Sequence, residues 1–256
     1  MRVGRAASSS ATSASQQVKP PTPPGQRLDQ ITPPAIPQTA KTPLTVVVID
    51  PAHGGSDSGA RGSSGINESE IVMDFTRAIR AALEAQGLRV VQTRTGNEGP
   101  SFDDRSAVAN AQRGAVFISI HVASTGTFGQ ARAYSQLAPD TSVDLITPPP
   151  VVALSFPVRN GWLPWDRAQE PYLAASRKFA ELAQSALAQK FKGSPDAPIS
   201  APVRQLRTVG APAIAIEVSS VSTTDREPLL RMAPWIADAI AQAVANFRPI
   251  YESAGH

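Results

Sequence analysis

The sequence predicts an α/β fold: a single domain built on a mainly parallel twisted sheet with helices on both faces, preceded by a disordered Pro/Ser-rich arm. Three observations lead there. Short β-branched or apolar runs recur at residues 45–49, 88–94, 115–120 and 213–218, stretches of helical period alternate with the first three, and no internal repeat breaks the series. Strand, helix, strand, helix, strand at this spacing calls for βαβ crossovers, in which the strands run parallel and the helices cover the sheet.

Residues 1–43 hold eight of the 24 prolines among Ser, Thr, Ala and Gln, with no apolar periodicity to offset the entropy of ordering. They are expected to form a linker or arm, and residues 44–251 the folded domain. Thr45-Val46-Val47-Val48-Ile49 reads as a buried strand that stops at Asp50-Pro51, and a glycine-rich loop runs from His53 to Gly65. Ile71, Val72, Phe75, Ile79 and Leu83 then fall on one helical face, with Gly87 placed to end the helix. Residues 88–94 read as a second strand, Ser101 or Asp103 as the cap of a helix ending near Arg113, and residues 115–120 as a third strand. A further short strand is expected between Gln130 and Leu137. Residues 138–170 are Pro-rich, include Trp162 and Trp165, and show neither period, which marks a long loop or insertion placed to act as lid or substrate wall. A helix from about Pro171 to Phe191, the strand Ala213–Val218 and a closing helix after Pro234 complete the chain, the last lined by Ile236, Ile240, Val244 and Phe247.

Charge and composition narrow the function. The net charge is +3, but Arg2, Arg5, Lys19, Arg27 and Lys41 against Asp29 put +4 in the arm, so the folded part is nearly neutral. It shows no basic stripe with interleaved aromatics, so nucleic acid is not an expected partner. The arm could bring a regulatory or wall-anchoring partner. Without Cys there is no disulfide, thiolate site or Cys nucleophile, and any metal must be held by His, Asp or Glu. No 18-residue apolar run and no segment of signal-peptide length is visible. Either the natural start lies elsewhere, or a signal and further domains precede this chain, or the protein works inside the cell.

Of the three histidines, His53 and His121 directly follow core strands, where open α/β sheets gather their ligand sites, so their imidazoles can meet although 68 positions separate them. His256, at the extreme C-terminus, has no such setting. Glu68 shares a helical face with Val72, Phe75 and Ile79 and so points to the core, whereas Glu70 falls with Asp74 and Arg77 toward solvent. A glutamate in a first helical turn is also favoured by the helix dipole alone. Two imidazoles and one carboxylate make a three-ligand zinc site of catalytic type, open to water and therefore suited to hydrolysis. Glu217, at the same sheet edge, is free to act as general base and acid.

The chain resembles the zinc-dependent N-acetylmuramoyl-L-alanine amidases of the type 3 class. The resemblance rests on Asp50-Pro51-Ala52-His53-Gly54-Gly55, Asp57-Ser58-Gly59-Ala60 with Gly62 and Gly65, Glu68, Arg105 with Ala109-Asn110, Phe117-Ile118-Ser119-Ile120-His121 and Pro212-Ala213-Ile214-Ala215-Ile216-Glu217. It implies that His53, Glu68 and His121 bind one Zn²⁺ per chain and that Glu217 is the catalytic acid/base. The implied substrate is peptidoglycan, cut at the amide between N-acetylmuramic acid and L-alanine, and the implied location is the cell envelope, periplasmic or secreted. A monomer without a transmembrane segment is expected. Arg105 and Asn110 read as structural. The family usually has Gly at Ala52, Asn at Ala123, and Gly-Phe and Asn at Ser219-Ser220 and Thr223; these departures reshape the cleft walls and leave each ligand in place. Two alternatives stay open: a zinc peptidase or deacetylase acting on another amide, and a non-catalytic peptidoglycan-binding module in which Trp162 or Trp165 stacks on sugars.

Overall fold

The computed structural model describes residues 42–138 and 164–254. The expected arm, apart from its last two residues, lies outside them, as do Trp162, His256 and most of the 138–170 segment. Six strands form one sheet in the order β2-β1-β3-β6-β4-β5. They are β1 (Val46–Pro51), β2 (Arg89–Gln92), β3 (Ala115–Ala123), β4 (Ala131–Gln136), β5 (Ile199–Ala201) and β6 (Ala213–Ser219). The helices are α1 (Glu68–Ala85), α2 (Phe102–Asn110), α3 (Leu173–Lys190), α4 (Arg204–Arg207), α5 (Glu227–Leu230) and α6 (Ala233–Ala254).

Four of the five strand pairings are parallel and one, β4 against β6, is antiparallel, which agrees with a mainly parallel sheet. Period-two alternation divides the sheet into two faces. Val47, Ile49, Ile118, Ile120, Val122, Ile214 and Ile216 point to one side, where Phe75 of α1, Phe179 of α3 and Phe247 of α6 cover them. Each fully buried Phe contributes about 1.5–3 kcal/mol relative to exposure. Val46, Val48, Phe117, Ala213 and Ala215 point to the other side, against Ala109 of α2 and Leu206 of α4. Because α2 and α4 are short, this second face is covered thinly by the described residues.

Several boundaries correct the sequence reading. The second helix is capped by Ser101, whose hydroxyl accepts from the Asp104 amide while the Asp104 carboxylate accepts from the Ser101 amide, and it ends at Asn110 rather than near Arg113. There the chain turns through Gly114, at φ +61°, into β3. The second strand is only Arg89–Gln92, and the third continues to Ala123. Residues 165–167 form a single 3₁₀ turn inside the expected loop, and residues 170–172 form another, so that the helix expected from about Pro171 begins at Leu173. The short elements β5, α4 and α5 have no sequence expectation, since three or four residues show no period. The last helix runs past Phe247 and through Pro249, and buried Tyr251 packs at its end with its ring 6.2 Å from that of Phe247. Among the described residues, no helix is long and apolar enough to cross a membrane.

Candidate functional site

The site lies at the C-terminal ends of β1, β3 and β6. His53 follows β1 in the left-handed backbone region, at φ +61°, which a residue with a Cβ adopts only when its surroundings hold it there. Two buried arginines do the holding. Arg94 donates to the carbonyls of Pro51 (2.7 Å), Ala52 (2.8 Å), Ser69 (2.8 Å) and Gly96 (2.6 Å). Arg105 donates to Pro100 O, Pro51 O and, at 2.8 Å, to the His53 carbonyl itself. Arg105, which the sequence marks as structural, here commits its guanidinium to the backbone of the site. Asn110 ties α2 to the α4 turn through Thr208 O and the Gly210 amide.

His53, Glu68 and His121 converge: one donor atom from each lies within 4.8 Å of the others. His53 Nε2 is 3.1 Å from Glu68 Oε2, His121 Nδ1 is 3.0 Å from Glu68 Oε1, and the two rings stand edge to face at 5.4 Å between centroids. Glu68 opens α1 and is buried, and its carboxylate also accepts from the backbone amides of Ala60 (2.8 Å) and Val122 (2.9 Å). Burial pushes its pKa up, but the hydrogen bonds from His121 and His53, the His121 charge and the Ala60 amide outweigh that and hold it well below the usual carboxylate range. Glu70 is exposed and pairs with Arg226.

The outward nitrogen of each ring is committed as well. His53 Nδ1 lies 2.8 Å from Asp57 Oδ2, and Asp57 is itself fixed by the Gly59 amide. The hydrogen bond to Glu68, opposed by burial and assisted by Asp57, raises the His53 pKa to about 9. His121 Nε2 faces the terminal amide of Gln205 at 2.9 Å and Ser119 Oγ at 3.3 Å. Gly59 has to be glycine: at φ +65°, a Cβ there would come within 2.6 Å of both Glu68 Oε2 and His53 Cδ2.

Glu217 is the Cα partner of His121 in the β3–β6 pairing, so both side chains project from the same, thinly covered face. Tyr134 of β4 donates its hydroxyl to Glu217 Oε1 at 3.3 Å. Burial and the negative charge of Glu217 push the Tyr134 pKa up, which keeps the phenol a donor. A cavity of about 240 Å³, lined by His53, Asp57, Phe102, Asp103, Arg204 and His121 among others, opens on the β1 side. A second of about 240 Å³, lined by Tyr134, Ala201, Val203 and Glu217, opens on the β6 side. His121 and Gln205 line both cavities. Trp165 donates its indole N–H to Asp103 at 3.4 Å, at the rim of the first.

Sequence reading names Asp57 only as part of a motif and gives no role to Gln205, Tyr134 or Arg94. Asp57 could have been singled out as a carboxylate four positions after His53 in a turn-forming loop. Gln205 and Tyr134 lie far from the histidines in sequence, and no local pattern points to them.

The donor set fits a zinc ion. Two imidazole nitrogens and a carboxylate oxygen face one point, both rings have partners for their other nitrogen, and three protein donors leave a position for water.

A family model described as N-acetylmuramoyl-L-alanine amidase matches residues 47–246. Over 86 residues the chain is 37% identical to N-acetylmuramoyl-L-alanine amidase AmiA of Salmonella typhimurium, covering 33% of this chain and 30% of that protein. Over 88 residues it is 39% identical to the sporulation-specific N-acetylmuramoyl-L-alanine amidase of Bacillus subtilis, covering 34% of each. These alignments therefore span about a third of the relatives' length. Among solved structures, an N-acetylmuramoyl-L-alanine amidase from Clostridium difficile 630 superposes with a TM-score of 0.57 at 20% identity, over 80% of this chain and 97% of that one. The amidase AmiC2 of Nostoc punctiforme gives 0.57 at 22% identity, over 80% and 98%. At these identities the likeness establishes a shared fold.

Proposed function

The chain belongs to the N-acetylmuramoyl-L-alanine amidase family, and from that premise we propose that it is a peptidoglycan hydrolase that cuts the amide joining the lactyl group of N-acetylmuramic acid to L-alanine. The observation that carries this reading is the placement of Glu217 beside a converging His53, Glu68 and His121. The site of action is then the cell envelope, periplasmic or secreted.

His53 through Nε2, Glu68 through its carboxylate and His121 through Nδ1 would hold one zinc ion. Bound there, zinc supplies a Lewis acid that polarises the scissile carbonyl and brings the pKa of water down toward roughly 7. The protein's own groups do the rest. Glu217 accepts a proton from the attacking water and passes it to the alanine nitrogen as the C–N bond breaks, so that the lactyl group leaves as a carboxylate and the peptide as an amine. Tyr134 holds the Glu217 carboxylate at one oxygen and leaves the other free for that transfer. The cavities on either side of His121 give the two halves of the substrate separate walls.

Product analysis tests the assignment. Incubated with a defined muropeptide, the zinc-loaded protein should release a peptide with a free L-alanine amine and leave a glycan whose lactyl carboxylate is intact. Release of acetate, or scission within the peptide, would instead support a deacetylase or a peptidase.

A further inference from the structure

Asp50 is fully buried beneath the site, and the mechanism above gives it no task. The geometry points to Asp50 as a positioning residue that sets the tautomer of His121 through Ser119 and anchors the His53 loop through Arg105, so that both imidazoles offer a lone pair to one ion. The inference rests on the reading of His53, Glu68 and His121 as metal ligands.

Asp50 in β1 and Ser119 in β3 are Cα partners, and both project from the face that carries His121. Asp50 Oδ2 accepts from the Ser119 hydroxyl at 2.8 Å, and Oδ1 accepts from Thr93 Oγ1 at 2.5 Å and Arg105 Nη1 at 2.6 Å. Three donors, one of them a guanidinium, thus occupy both oxygens of this buried carboxylate.

A serine hydroxyl has one proton. Ser119 gives it to Asp50, so toward His121 Nε2, 3.3 Å away, it can only accept. Where an ion would take the place of the Nδ1–H···Glu68 hydrogen bond of the metal-free site, that favours the ring with its proton on Nε2 and its Nδ1 lone pair available to the ion. Gln205 places its amide nitrogen 2.9 Å from His121 Nε2, an orientation that serves the other tautomer; turned end for end about its last bond, the same amide presents its oxygen there and accepts, and the Nε2–H tautomer requires that orientation. The direction is therefore imposed by the Asp50–Ser119 pair. On the other side of Asp50, Arg105 extends the same network to the carbonyls of Pro51 and His53, across the left-handed turn that aims the His53 ring.

The test is zinc affinity measured on the full chain by competition with a chromogenic chelator, together with ¹⁵N NMR of the His121 ring in the zinc-loaded protein. Ser119→Ala removes the directional acceptor and leaves Asp50 and Arg105 paired. It should weaken zinc binding by about 10- to 100-fold and move the His121 Nε2–H resonance upfield. Asp50→Asn should weaken binding at least as much, since the new amide can donate to Ser119 and turn its hydroxyl proton toward the ring. Ser119→Ala with wild-type affinity, or with an unmoved Nε2–H resonance, overturns the proposal. If the variants do not fold, the wild type decides: its Nε2–H should be shifted downfield and slow to exchange with water, and a freely exchanging proton overturns the assignment. A wild-type protein that binds no zinc defeats the ligand reading itself, and this inference with it.

Discussion

His121 and Glu217 stand side by side as Cα partners in adjacent parallel strands, one carrying a candidate metal ligand and the other the proposed proton carrier. Both face the side of the sheet that, among the described residues, α2 and α4 cover only in part, and the two cavities open there. On the proposed reading, the two tasks of an amide hydrolase, binding the electrophile and moving the proton, would fall to neighbouring positions of the sheet.

Separating these tasks by mutation is the first expectation. Glu217→Gln should keep its zinc and lose hydrolysis by roughly 10²-fold or more. Zinc content and turnover of a muropeptide, measured on the same preparation, check this; near-normal turnover removes Glu217 from the proton transfer.

Tyr134→Phe deletes only the hydroxyl that bonds Glu217 Oε1. A single hydrogen bond of this kind supports a drop of roughly 3- to 10-fold in kcat, with KM and zinc content close to wild type. A change confined to KM would place Tyr134 in substrate binding instead.

Gly59→Ala brings a Cβ against Glu68 and His53 at a positive φ. The left-handed conformation alone costs a non-glycine residue about 1–2 kcal/mol, and the displaced ligands should weaken zinc binding as well. Urea denaturation and chelator competition read the two effects; wild-type values in both would show that the loop adjusts freely.

The metal-free protein should have a pH-dependent stability of definite sign. Its His53 pKa lies above the ordinary 6.5, at about 9, chiefly through Glu68. The stabilisation from the charged ring is complete below about 6.5 and is lost as pH rises through about 9. Glu68 is held low, so its share is lost only in acid, below the usual carboxylate range. The Tm measured in chelator should fall across the alkaline window, and a Tm that rises there contradicts the pairing.

Much of this arrangement is legible in the sequence because it follows from periods. Three core strands and the edge strand β2 announce themselves by β-branched or apolar runs, α1 by the stripe through Val72, Phe75 and Ile79, and the same stripe separates buried Glu68 from exposed Glu70. The strands alone bring His53, His121 and Glu217 to one edge, although β3 and β6 run two residues beyond His121 and Glu217, so that only His53 lies past the end of its strand. What the sequence conceals is set by tertiary neighbours. Tyr134 meets Glu217 only because β4 joins the sheet antiparallel to β6, a pairing that no periodicity reports. Gln205 reaches His121 from a four-residue helix too short to show amphipathicity. Asp50 reads as a strand terminator until its partners Thr93, Arg105 and Ser119, drawn from three separate segments, are seen around it.

The convergence of His53, Glu68 and His121 on a single ion is tested most directly by metal analysis of the purified chain. The wild type should hold about one zinc ion per chain, with most of it lost in both His53→Ala and His121→Ala. Unchanged metal content in both variants, or a wild type that takes up no zinc, would contradict it.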